Sequence, residues 1–160
     1  EAGYNVELTV VGCTPPTKHP AMKVFPFLNK NVREEEELLR SIFSESDLFI
    51  LPSRGDCTPI VFCEAFAFSL PVLSTDIGGV SSVVRNGETG ILLPIEANGE
   101  EYANAAIQIL GDQSVRKSIS RSAREAFETK FNWEAWGHSM IEIFQSLINS
   151  KKASFHEKVD

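Results

Sequence analysis

Ser46-Asp47-Leu48-Phe49-Ile50-Leu51-Pro52-Ser53-Arg54-Gly55-Asp56-Cys57-Thr58-Pro59-Ile60-Val61-Phe62-Cys63-Glu64-Ala65 reads as a buried strand, a tight polar loop and the start of a helix. Leu48 to Leu51 is an unbroken apolar run, as expected of a parallel strand covered on both faces. Pro52, Ser53, Gly55 and Asp56 are turn residues. Thr58-Pro59 supplies an N-cap hydroxyl followed by a proline at the first helical position, so a helix is predicted from Ile60 to Ser69. In a parallel α/β sheet, ligands bind where the carboxyl end of a strand opens into a helix. The unpaired amides and positive dipole end of such a helix favour a phosphate.

Two carboxylates bracket the predicted helix start. Asp56 lies in the loop and Glu64 about a turn and a half inside the helix. Helical side chains lean toward the N-terminus, so Glu64 is expected to point back at whatever the loop holds. Carboxylates do not bind phosphate, but they accept hydrogen bonds from hydroxyls. An anion on the amides of Ile60 and Val61, with an acid on either side, describes a phosphate flanked by two sugars. That is the layout of a sugar nucleotide.

Downstream, Pro52-Ser53-x-x-Asp56-x7-Glu64-Ala65 is followed by Pro71-Val72-Leu73, by Gly78-Gly79 and by Gly87-x-Thr89-Gly90. In this order the motifs resemble the C-terminal, donor-binding domain of retaining GT-B glycosyltransferases of the group 1 (family 4) type. That family carries Glu-x7-Glu followed by Ala, a Pro-Val strand, a Gly-Gly loop and a Gly-x-Thr-Gly turn. The resemblance covers essentially the whole chain. It implies an α/β fold, with a Rossmann-like parallel sheet and helices on both faces. It also implies one half of a two-domain enzyme that transfers a sugar from a nucleotide-diphosphate donor with retention at the anomeric carbon.

The resemblance also implies residue roles. Glu64 matches the acid that binds the ribose hydroxyls. Asp56 matches the acid that contacts the donor sugar and is the candidate catalytic residue; it is one methylene shorter than the family's Glu. The amides of Ile60 and Val61, with Thr58, match the diphosphate donors. Gly12, Gly78 and Gly79 sit in loops where backbone comes close to the donor. Cys57-Thr58-Pro59 replaces the common Gly-Phe-Gly, which stiffens the loop. In relatives an Arg and a Lys on a preceding strand-helix unit complete the phosphate site; here Arg54 and Lys18 are the partial substitutes. No cofactor is implied, because the sugar nucleotide is itself the substrate. Relatives carry that strand-helix unit and a whole N-terminal domain before the position of Glu1. The chain is therefore expected to be a fragment, with residues 1–150 as its Rossmann-like domain, that transfers nothing alone and leaves the acceptor unassigned.

Composition agrees with this class. A chain of 160 residues, 42% hydrophobic and 23% charged, is ordinary for one soluble globular domain. The formal net charge of -7 argues against a nucleic-acid partner. No apolar run approaches the ~20 residues of a membrane span. Cys13, Cys57 and Cys63 have no framework spacing and fit a reducing, cytoplasmic compartment. Cys57-x5-Cys63 is a poor zinc pattern, so no metal site is expected.

The remaining elements follow from pattern. Val6 to Val11 and Met22 to Leu28 read as strands, with the loop from Gly12 to Pro20 between them. Acids at Glu34 to Glu37 open a helix whose apolar stripe is Leu38, Leu39, Ile42 and Phe43. Pro71 to Thr75 and Ile91 to Pro94 read as strands, and Val80 to Arg85 as a short helix. From Glu100 the chain is helical: Glu100 to Leu110 ending at Gly111, Ser114 (as cap) to Lys130, and a last amphipathic helix to about Ile148. Residues 151–160 read as a polar tail. Two other classes compete. One is a sugar-nucleotide module on the same fold that does no chemistry. The other is a flavodoxin- or receiver-type interaction domain, which would need an acidic cluster after the first strand, where this chain has Gly12-Cys13-Thr14-Pro15.

Overall fold

The computed structural model describes Gly3, residues 5–57 and residues 59–156, the stretch 151–156 by backbone only. It forms two compact units, Glu1–Ser46 and Asp47–Asp160. In the first, β1 (Leu8–Val11) pairs in parallel with β2 (Met22–Phe25), and α1 (Arg33–Glu45) follows. The connecting turn uses His19 twice: its Nδ1 accepts from the Ala21 amide at 3.1 Å and its carbonyl from the Met22 amide at 2.9 Å. A lone loop histidine is thus a turn-former. Helix α1 has acids in its first turn and an Arg33–Glu37 pair at 2.8 Å one turn apart. Of its predicted stripe, Phe43 is buried, Leu39 and Ile42 are half-buried and Leu38 is exposed.

The second unit is built on three parallel strands in the order β3-β4-β5: Phe49–Leu51, Val72–Thr75 and Gly90–Leu93. Phe49 lies opposite Val72, and Val72 opposite Gly90. Side chains alternate between faces along each strand. Phe49 meets Phe62 of α2 (Val61–Ala67) edge-on, at 6.1 Å between ring centroids. Thr75, on the opposite face, shares a 2.7 Å hydrogen bond with the Tyr102 hydroxyl of α3 (Gly99–Gly111). Helices therefore cover both faces, and the arrangement is Rossmann-like. Helix α4 (Gln113–Thr129) packs on both α2 and α3. The core is Phe62, Phe66, Val72, Leu73, Val80, Val84 and Ile109, all fully buried.

Local chemistry sets the ends of these elements. Predicted Val80 to Arg85 condenses to a single 3-10 turn, Val80–Ser82. The Gly-x-Thr-Gly motif is a backbone lock. Buried Thr89 accepts the Arg85 amide on its hydroxyl, Asn86 Oδ1 accepts the Leu92 amide at 3.0 Å, and Gly87 takes a positive φ of 78°. A Cβ on Gly90 would land on the Val72 carbonyl. Asn98 and Glu101 form a reciprocal capping box on α3. The cap of α4 is Asp112, not Ser114: Asp112 Oδ1 accepts from the Ser114 amide and hydroxyl and the Val115 amide. Asn132 joins α4 to α5 (Trp133–His156). Its Nδ2 donates to the Phe127 and Glu128 carbonyls, and its Oδ1 accepts from the Ala135 amide. Helix α5 thus runs on through His156, into the stretch read as a polar tail.

Gly90→Ala should lower the stability of this chain by about 1–3 kcal/mol, read as a drop in the urea midpoint, because the new methyl has backbone on one side and Val84 on the other. A second expectation concerns pH. Bonds from the Ser114 hydroxyl first, then the Ser114 and Val115 amides, hold the Asp112 carboxyl below its ordinary value. A lowered folded pKa stabilises fully above the unfolded value of ~3.9 and fades as pH falls through the lower folded value. The advantage of the natural chain over Asp112→Asn should therefore shrink between neutral pH and pH ~3.

Candidate functional site

The site predicted from sequence falls at the carboxyl ends of β3 and β4, in the second unit. The turn after β3 begins with Ser53, whose amide donates to the Leu51 carbonyl at 2.9 Å. Its hydroxyl donates to the Gly55 carbonyl at 3.2 Å and accepts the Gly55 amide at 3.4 Å. Ser74, buried on β4, donates to the Leu51 carbonyl at 2.8 Å and ties the end of β3 to its neighbour. The sequence reading had Ser53 as a turn residue, as found, and missed the tie made by Ser74. A hydroxyl inside the apolar run of β4 was the available signal, since a buried hydroxyl needs a partner.

Asp56 follows, half-buried, with exposed Cys57 behind it. Thr58, expected to cap the helix and touch the phosphate, lies outside the described residues. Pro59 is buried just before the helix and is not its first residue: α2 begins at Val61, after Ile60 in helical backbone. No side chain of Ile60 caps it. The Pro59 carbonyl accepts the Phe62 amide, and the Ile60 carbonyl accepts those of Cys63 and Glu64. The amides of Ile60 and Val61 have no acceptor among the described residues. They are the orphan donors of the helix start. At seven residues, α2 is shorter than the Ile60 to Ser69 expected and spans about two turns.

Glu64 is half-buried in the first turn of α2. Beside it, burial pushes the Cys63 thiol up, with the Glu64 charge adding to the effect. Cys63 is therefore a poor nucleophile. At the far end of α2, Ser69 takes a φ of 61° and the Leu70 amide returns to the Ala65 carbonyl, while Arg124 donates to the Ala67 carbonyl. A cation on the last carbonyls suits the negative end of the helix and fixes its axis.

The Gly78-Gly79 turn comes after β4. Gly78 has φ 56°, and a Cβ there would overlap the Asp56 carbonyl oxygen and approach the Cys57 Cα. Gly79 opens the 3-10 turn with φ -92°. The structure thus brings Gly78 against Asp56. Arg54 lines a cleft of about 320 Å³ with Ile50, Pro52, Thr75, Asn98 and Tyr102; neither Asp56 nor Glu64 lines it. Gly12 belongs to the first unit, at the end of β1 with φ 89° and open space around it. No group of three or more His, Cys, Asp or Glu side chains that could hold a metal is found among the described residues. No described helix is long and apolar enough to cross a membrane.

Comparison with known proteins bears on the family and the fold. Over 115 residues the chain is 30% identical to the D-inositol 3-phosphate glycosyltransferase of Corynebacterium urealyticum, covering 72% of this chain and 26% of that protein. The fold matches sucrose-phosphate synthase of Thermosynechococcus elongatus with a TM-score of 0.72 at 23% identity, covering 90% of this chain and 39% of that one. It also matches Anabaena HepE, solved in complex with UDP, with a TM-score of 0.66 at 19% identity, over 79% of this chain and 32% of that one. The chain therefore spans well under half the length of each of these three proteins. The family model of group 1 glycosyl transferases aligns with residues 23–126, which include the Asp56 loop, α2 and the Gly-Gly turn, and on that match the chain belongs to the group 1 glycosyl transferases.

Proposed function

We propose that this chain is the donor-binding part of a retaining glycosyltransferase whose donor is a nucleotide-diphosphate sugar. The observation that carries the reading is the pairing, at the carboxyl end of β3, of a held acidic loop with a helix start whose Ile60 and Val61 amides have no acceptor among the described residues. Asp56 stands in the loop and Glu64 in the first turn of α2. The UDP bound by the structural neighbour HepE is a nucleoside diphosphate, the class of ligand this reading requires.

In this reading the diphosphate accepts hydrogen bonds from the amides of Ile60 and Val61. Glu64 accepts from the ribose hydroxyls and Asp56 from the donor sugar. When the glycosidic C–O bond breaks, negative charge grows on the diphosphate and positive charge on the sugar ring. The α2 start meets the first charge and the Asp56 carboxylate the second. Helix α2 offers only about half a charge, less than a diphosphate needs, so bases such as Arg54 or a pair on a preceding segment complete the site. Gly79 offers backbone to the donor. The donor is a substrate and no cofactor takes part. The exposed thiols of Cys13 and Cys57 suit a reducing, cytoplasmic setting. The acceptor is bound elsewhere, by a domain outside these 160 residues.

A non-catalytic sugar-nucleotide module on the same fold is the second reading, favoured by the Asp in place of the family's Glu. Full-length protein separates the two. Glu64→Ala should weaken nucleotide binding about 10- to 100-fold, the worth of a hydrogen bond to a charged group. Asp56→Ala should abolish turnover while the nucleoside diphosphate still binds; a natural full-length protein that binds the sugar nucleotide but shows no turnover would leave the binding module. For the 160-residue chain alone, calorimetry should find binding weaker than ~1 μM and no transfer. Tight binding or measurable transfer by that chain would overturn this part.

A further inference from the structure

Gly78 presses on the loop that carries Asp56. At φ 56° it has one hydrogen where an L-residue carries its Cβ, and that hydrogen faces the Asp56 carbonyl. A methyl there would occupy the space of the carbonyl oxygen, with the Cys57 Cα next in line. The obstacle is backbone, which has no flexible end to swing aside. The Gly78 residue is otherwise exposed to solvent. The same loop is pinned from two other directions, by Ser53 within its own turn and by Ser74 through the Leu51 carbonyl.

We infer that Gly78 is a positioning residue: it sets where the Asp56 carboxylate stands, and so the enzyme's hold on the sugar half of its donor, through backbone contact with the Asp56 peptide and not by touching the donor. This rests on the reading of Asp56 as the sugar contact. A carboxylate at the end of one methylene moves with its own backbone. It cannot compensate by rotamer as the longer Glu side chain could. Displacing the Asp56 peptide by the width of a methyl therefore moves the carboxylate by a comparable amount, enough to break an aligned hydrogen bond. The diphosphate and ribose contacts sit at Ile60, Val61 and Glu64, at and within the start of α2, which the Arg124 bond and the buried Phe62 and Phe66 hold.

The test compares affinity for a sugar nucleotide with affinity for its nucleoside diphosphate in the full-length protein. A panel of UDP, GDP and ADP, each with and without glucose or mannose, identifies the pair to use. Three variants are read beside Asp56→Ala. Gly78→Ala adds both the steric overlap and left-handed strain. Gly78→Asn adds the same Cβ on a residue that tolerates a left-handed backbone, and keeps the test alive if the alanine variant does not fold. Gly87→Ala, at φ 78° with open space around it, adds strain alone.

Both Gly78 variants should lose about tenfold in sugar-nucleotide affinity, with nucleoside diphosphate affinity unchanged. Gly87→Ala should show no such split. If Asp56→Ala splits the two affinities and the Gly78 variants do not, the positioning role is overturned while the donor reading stands. If Asp56→Ala itself shows no split, the sugar contact assigned to Asp56 falls, and the role of Gly78 with it.

Discussion

The second unit is centred on Val72–Thr75. This strand pairs on both edges and is buried from end to end. Helix α3 packs on it directly, and α2 meets the sheet beside it through the Phe49–Phe62 contact. The strand's two hydroxyls are spent inside the fold, Ser74 on the Leu51 carbonyl and Thr75 on Tyr102. Gly90 is required beside it because β5 passes so close to the Val72 carbonyl that a side chain would not fit. The carboxyl edge of the sheet is anchored by these contacts. The loops after β3 and β4 leave a common platform and meet again at Asp56 and Gly78.

Much of this was legible in the sequence because hydrophobic runs and breakers are local. Leu48 to Leu51, Pro71 to Thr75 and Ile91 to Pro94 mark the parallel strands, and their spacing leaves room for one crossover each. Family membership was legible in four ordered motifs. The finer placements depend on tertiary contacts, which local pattern does not record. Asp112 and Ser114 are both good caps, and the place where α3 ends decides between them. The last helix passes Ser150 because no proline or glycine follows to stop it. Helix α2 is shortened at both ends, by the buried Pro59 and by the left-handed turn at Ser69.

The glycine motifs teach a related lesson. Read as text, Gly-x-Thr-Gly is a turn and Gly-Gly a loop where backbone can approach a ligand. In the fold, the first is a lock on its own backbone: Thr89, Asn86 and Gly90 satisfy or clear groups within the sheet. The second contacts the loop that bears the acid. In both, a small residue matters for what it lets approach. The acid itself is then free to differ in length from the family's usual choice, as Asp56 does, while the scaffold around it is retained.

Both tryptophans of the chain, Trp133 and Trp136, stand at the start of α5, stacked edge to face at 5.9 Å and 74% and 57% exposed. The aromatic residues of the core are phenylalanines, which emit weakly. Intrinsic fluorescence is thus a local gauge of the α4–α5 joint at Asn132. A change in its colour would report what covers or uncovers that helix, while the sheet could melt without altering it. Circular dichroism, which sees the backbone everywhere, is the probe that follows the sheet.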